Sequence, residues 1–110
     1  MPSQDHSIRH NEPADFFAMS GAGWMKLTLP AAKSVIQQCT DQLVAVSGIE
    51  GGIWHNPGFE ARLDAIWKCK MGGDPDDQEL KFNNSEAERF LSDFEVAYDT
   101  AIISTVGNQA

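Results

Sequence analysis

Between Pro30 and Gly48 the apolar residues keep one spacing, and that spacing constrains the fold more than any other feature of the chain. Ala32, Val35, Ile36, Cys39, Leu43 and Val46 recur at intervals of three and four, which puts them on one face of a 3.6-residue helix. Lys33, Gln37, Gln38 and Asp41 take the other faces. Pro30 suits the first helical turn, and Gly48 after Ser47 suits a left-handed cap. The spacing predicts a helix over 30–47. A helix with one apolar stripe must bury it against other elements.

Two further segments offer the same kind of stripe. In "IWHNPGFEARLDAIW", residues 53–67, Asn56 is a favoured N-cap and Pro57 a favoured first helical residue. Phe59, Leu63, Ile66 and Trp67 then form the stripe, Trp54 or His55 packs back as a staple, and Met71-Gly72-Gly73 is the stop. Gly48–Gly52 before it reads as a loop. Further on, "DPDDQELKFNN" reads as an acidic break with room for one helical turn, Asp76 to Phe82. Ser85 and Glu88 have the spacing of a capping box. Phe90, Phe94, Ala97, Tyr98 and Ala101 make a core face for a last helix, closed by Gly107. The expected fold is mainly α: a small bundle of three principal helices near 30–47, 57–71 and 86–106.

The N-terminal part is harder to read. Residues 1–13 are polar and aperiodic, as a flexible tail is. His6 and His10 stand four apart there, but no helix signal would hold them as a metal pair. In "ADFFAMSGAGWMKLTL", residues 14–29, a short helical turn, a short strand and an extended arm are all open. No convincing second strand is found, so the arm is preferred, packing Phe16, Phe17 and Trp24 onto the helices. Residues 14–110 are then a single helical domain. A chain of 110 residues, 42% hydrophobic, can bury one core without disulfides or metal.

The charge excludes one class of partner. Sixteen acids stand against eight bases, a formal net charge of −8. Binding to nucleic-acid phosphates needs clustered Lys and Arg, and the chain has no such cluster. An acidic domain suits a basic protein surface or imitates a polyanion. Residues 74–99 hold nine of the acids, and Glu88, Glu95 and Asp99 would share one face of the last helix. With Trp54 and His55, and with Asp74, Asp76 and Asp77, they are the candidate partner-binding residues. The flanking apolar residues leave a homodimer open. No apolar run is long enough to span a membrane, and the first residues lack a secretory signal, so a cytoplasmic location is expected. Cys39 and Cys69 are then two reduced thiols.

Catalytic and metal signatures are missing. Asp74, Asp76, Asp77 and Glu79 hint at a calcium loop, but the sixth and twelfth places from Asp74 hold Glu79 and Ser85 instead of Gly and Glu. His55 lacks a recognisable nucleophile or orienting partner. No HExxH, GxSxG, CxxC or phosphate-cradling glycine motif occurs. A protein that is not an enzyme and uses no cofactor is expected.

One resemblance fits these features. Pro57-Gly58-Phe59-Glu60 with Leu63, and Ala97-Tyr98 followed by Ile102 and Gly107, resemble the small helical immunity proteins that protect bacteria from type VI secretion toxins of the NAD(P)+ glycohydrolase class. The similarity runs over about residues 33–107; the first thirty residues and the Gly48–Gly52 loop are additions to that pattern. It implies a non-enzymatic helical bundle that occludes a toxin's active site, its acids standing in for an anionic substrate. The alternative from a different class is a phage or mobile-element inhibitor, an anti-CRISPR-like acidic mimic of nucleic acid.

Overall fold

A computed structural model of the chain describes residues 8–56, 58–71, 74–94 and 97–106. In chain order the elements are β1 (Arg9–His10), α1 (Pro13–Ala18), β2 (Lys26–Thr28), α2 (Leu29–Asp41), β3 (Val46–Trp54), β4 (Phe59–Lys68), α3 (Asp77–Phe94) and β5 (Thr100–Thr105). The strands form one sheet in the order β1-β2-β5-β3-β4. β1 is parallel to β2, and the other neighbouring pairs are antiparallel. The last strand, β5, therefore inserts between β2 and β3, which α2 connects. α3 carries the chain from the edge strand β4 back to the centre.

α2 and α3 pack against each other and against the sheet, so both lie on one face of it. The smallest dimension, 19 Å, fits two layers. Between the layers lie Leu27, Val46, Ile49, Ala101 and Ile103 from the sheet, with Ala32, Val35, Ile36, Cys39, Ala87 and Leu91 from the helices. Ile49 stands opposite both Ile103 and Trp67, so all three point to the helices. Their neighbours Glu50, Ile102 and Ile66, also mutually opposed, face the other way. Neither α2 nor α3 covers that second face.

A mainly α fold is thus overturned: the molecule is α/β, not a three-helix bundle with an extended arm. The first expected helix forms, but it ends at Asp41, with Gln42 as C-cap and Leu43 left-handed at φ 57°. Thr28 caps its start, accepting from the Ala31 N–H. The second expected helix is the strand β4. "FEARLDA" alternates apolar and polar over seven residues, a period of two that competes with the helical stripe. Within it Leu63 is 90% exposed, which no buried helical stripe would allow. The end of the third expected helix is β5, a central strand rich in β-branched residues (Thr100, Ile102, Ile103, Thr105) and buried on both faces over Thr100–Ile103. The 14–29 arm is instead α1, a turn and β2, because β5 supplies the partner strand that the arm reading lacked. Arg9 and His10, from the presumed tail, pair with Lys26 and Leu27.

Two local features explain the misread boundaries. The Gly48–Gly52 stretch is inside β3. A Cβ on Gly52 would lie 2.1 Å from the Glu60 carbonyl oxygen, so only glycine lets β4 approach. The register is irregular at this point: Glu50 opposes Ile66, yet Gly52 opposes Ala61. The second feature is Asn83-Asn84, which reads as a helix break yet sits buried inside α3. Asn84 Oδ1 accepts from the Val46 N–H, and its Nδ2 donates to the Val44 carbonyl and Thr40 Oγ1. Asn83 Nδ2 donates to the Val46 carbonyl. Asparagine side chains compete with backbone bonding in a helix; here they satisfy the backbone of the α2–β3 connection. The helix start lies earlier, at Asp76 and Glu79, whose side chains exchange bonds with each other's N–H groups. Ser85 lies exposed inside α3.

Candidate partner-binding face

The face that the helices leave open is built outward from the β3–β4 hairpin. Trp54 and Phe59 are the last paired positions before its turn. The His55 N–H donates to the Gly58 carbonyl at 2.8 Å. Asn56 is left-handed at φ 48°, and Gly58 has φ 118°. Asparagine and glycine tolerate such angles best, so β3 and β4 are joined as a hairpin and Asn56 is not a helix N-cap.

Asp99 ties this end of the sheet together. Its Oδ1 accepts from the Trp54 N–H at 2.9 Å and from Thr100 Oγ1 at 3.0 Å, and its own N–H donates to the Gly52 carbonyl. Arg9 reaches the same spot from β1. Its Nη1 donates to the Asp99 carbonyl and to Thr100 Oγ1, both at 3.3 Å, and stands 3.7 Å from the Asp99 carboxylate. The guanidinium carbon lies 5.9 Å from the centre of the Trp54 ring, within cation–π range.

A second polar chain runs along β4. His55 Nε2 is 2.7 Å from Glu60 Oε1, and Arg62 pairs with the other Glu60 oxygen. The hydrogen bonds from His55 and then Arg62 hold the Glu60 carboxyl below the usual carboxylate range, so it stays charged. The Tyr98 hydroxyl lies 2.8 Å from both Asp64 oxygens, to which it donates. That bond, with some burial, raises the Tyr98 phenol. On β2, Lys26 is pushed down by burial, against the pull of Glu50.

The sequence-derived residues divide between this face and elsewhere. Trp54, His55 and Asp99 come together here, although 44 residues separate His55 from Asp99. Asp74 is exposed in the loop before α3. Asp76 is occupied as the cap of α3, and Asp77 lies in its first turn. Glu88 accepts from Gln37 Nε2 and links α3 to α2. Glu95 lies outside the described residues. Because α3 ends at Phe94 and Asp99 precedes β5, no single helix face carries Glu88, Glu95 and Asp99. Sequence reasoning missed Arg9 and Phe59 beside Trp54, and the bonded groups Glu60–Arg62 and Tyr98–Asp64 near the hairpin. Period-two alternation of β4 would have put Phe59 on one side of a strand and Glu60, Arg62 and Asp64 on the other; nothing local marks Arg9.

Among the described residues, no three His, Cys, Asp or Glu are grouped so as to hold a metal ion, and no helix is long and apolar enough to cross a membrane. Both cysteines are free, and burial pushes the Cys39 thiol up to about 11. Fold and face define a small two-layer α/β domain with an aromatic and charged end to its sheet. Residues 25–106 match the family described as Colicin-E5 Imm protein. The chain is 39% identical over 102 residues to the immunity protein CdiI of Burkholderia pseudomallei, covering 91% of each. It is 31% identical over 80 residues to the colicin-E5 immunity protein in ColE9 of Escherichia coli, and 32% over 83 residues to the colicin-E5 immunity protein of the same species. Each of these alignments covers 73% of this chain and 96% of the relative. The chain belongs to the colicin-E5 immunity protein family. The immunity role implied by the earlier resemblance is therefore shown, whereas none of these relatives is named for a type VI secretion glycohydrolase.

Proposed function

We propose that the protein neutralises a toxin by laying the open end of its sheet over the toxin's active site, with Trp54 and Phe59 as anchors and His55, Glu60 and Asp99 around them. The observation that carries this is the meeting of Trp54 and Asp99 at a sheet end that the helices leave uncovered. Half-buried aromatics held by a hydrogen-bonded rim have the form of an interface hot spot. The net charge of −8 steers association towards a basic toxin surface. The relatives' names make a colicin-E5-type toxin the first to try, in place of the glycohydrolase.

The test is binding of Trp54→Ala and Asp99→Ala variants to the cognate toxin domain and to that of colicin E5. A loss of about 2 kcal/mol, roughly thirtyfold, is expected for Trp54→Ala with its fold retained. Unchanged affinity for both variants would move the contact to another face. A second reading, self-association, rests on Leu63, 90% exposed on the edge strand β4. A concentration-independent monomer by sedimentation would dispose of it.

A further inference from the structure

The family match begins at residue 25, so β1 and α1 stand in front of it. The two colicin-E5 immunity relatives are almost fully covered by the alignment yet leave about a quarter of this chain unmatched. The CdiI relative, by contrast, is matched over 91% of both chains. The added segment is firmly attached. His10 Nδ1 is 3.0 Å from Asp15 Oδ2, with the imidazole only 10% exposed, and Phe16 of α1 is in the core. β1 extends the sheet at the β2 edge, and its other residue is Arg9.

Arg9 is therefore a cation brought in from outside the family core to the centre of the docking face. It pairs with Asp99 and lies over Trp54. The backbone there does not depend on it, since Asp99 Oδ1 holds the Trp54 N–H and Thr100 Oγ1 without Arg9. What Arg9 alters is the charge that Asp99 presents and the placement of the indole. Both are features that a toxin surface reads. A guanidinium over an aromatic face also pre-orders a side chain that otherwise loses rotamer freedom on binding.

We propose that β1 is a specificity element added to the edge of the immunity core, with Arg9 as its positioning residue: by pairing with Asp99 and packing on Trp54 it makes the docking face select this chain's own toxin over that of the colicin-E5 relatives. The proposal rests on the docking face described above. Specificity is a difference between two affinities, and one misplaced or unpaired charge is enough to create it.

The experiment uses this chain with Arg9→Gln and Arg9→Lys. Affinities are measured for its cognate toxin domain and for that of colicin E5, with thermal unfolding alongside. Arg9→Gln is expected to weaken binding to the chain's own toxin by about tenfold and to leave or improve binding to the colicin E5 domain, at unchanged stability. Arg9→Lys keeps the charge without the planar fork and should fall between. A double-mutant cycle with Trp54→Ala should show the two losses to be non-additive. Equal loss towards both toxins, or no loss towards the chain's own, overturns the proposal. Wild-type protein that binds neither toxin removes the docking reading itself, a different result from either.

Discussion

Gly52→Ala is a test of whether the irregular β3–β4 register shapes the proposed docking face. An added Cβ would meet the Glu60 carbonyl oxygen at 2.1 Å, and the Glu60 carbonyl carbon and Phe59 Cε1 at 3.0 Å. A carbon–oxygen contact needs about 3.3 Å, so β4 must retreat by about 1.2 Å. The obstacle is backbone, not the end of a flexible side chain, and the retreat opens the pairs Gly52↔Ala61, Ile53↔Glu60 and Trp54↔Phe59. Overpacking costs about 1–3 kcal/mol, and each weakened hydrogen bond about 0.5–1.5 kcal/mol. A loss of about 3 kcal/mol is expected, large against a typical total of about 5–15 kcal/mol but short of unfolding the domain. Gly48→Ala is the control, since its Cβ would lie 3.3 Å from the Trp67 carbonyl oxygen and needs little movement; it should cost under about 1 kcal/mol. Urea denaturation of the two variants measures both. Toxin affinity of Gly52→Ala should fall beyond what stability explains, because Trp54 and Phe59 move with the strands. If the two variants are equally stable, or Gly52→Ala lies within about 0.5 kcal/mol of the wild type, the reasoning is refuted.

Asn84→Leu removes the partners of the Val46 N–H and the Val44 carbonyl and should destabilise by about 2–5 kcal/mol in the same denaturation assay. A near-neutral result would mean that the α2–β3 connection holds itself. Tyr98 is the chain's one tyrosine, so phenolate absorbance follows it alone. Its pKa is raised by the Asp64 hydrogen bond, so the midpoint should lie above about 10 and drop in Asp64→Asn. Since the folded value exceeds the unfolded one, the bond's stabilisation is present below about pH 10 and is lost as pH rises through the folded midpoint; a midpoint at the ordinary value refutes the bond. A thiol reagent on native protein should label the half-buried Cys69 and spare Cys39, fully buried with its thiol raised to about 11. Labelling of both at equal rates would count against that core.

Part of the fold was legible where one periodicity ruled. The Ala32–Cys39 stripe lies buried as its spacing requires, because nothing in 29–41 competes with a helix. Residues 59–67 carry two patterns at once. Phe59, Leu63, Ile66 and Trp67 fit a helix, while alternate residues fit a strand, and local propensity does not choose between them. The choice is made by β3 and β5, which bring non-local backbone partners that no window of fifteen residues contains. β3 itself is disguised by glycines, kept at Gly52 for the approach of Glu60 and not for a loop. Likewise the buried Asn83 and Asn84 look like a break because their bonding partners lie about 40 residues away.

The same non-locality decides what could be read of the proposed docking face. Trp54 and Asp99 were each visible as conspicuous residues, but their reasons were wrong: one as a staple, the other as part of a helical acidic stripe. They meet only because β5 enters the sheet beside β3, which puts the residue before β5 next to the end of β3. Arg9 joins them only because β2 lies beside β5 and accepts a parallel strand on its outer edge. The order of strands thus gathers three residues from positions 9, 54 and 99 at one point. Charge counting located the acids in the C-terminal half, yet Asp76 caps a helix and Glu88 bridges two helices. A high local count of acids therefore says where a helix needs stabilising as readily as where a partner binds. What separates the two is whether the carboxylate's lone pairs are consumed inside the fold. By that criterion the steering charge is shared over the whole domain, and the proposed contact rests on the aromatics Trp54 and Phe59, beside which Asp99 and Glu60 are already bonded within the fold.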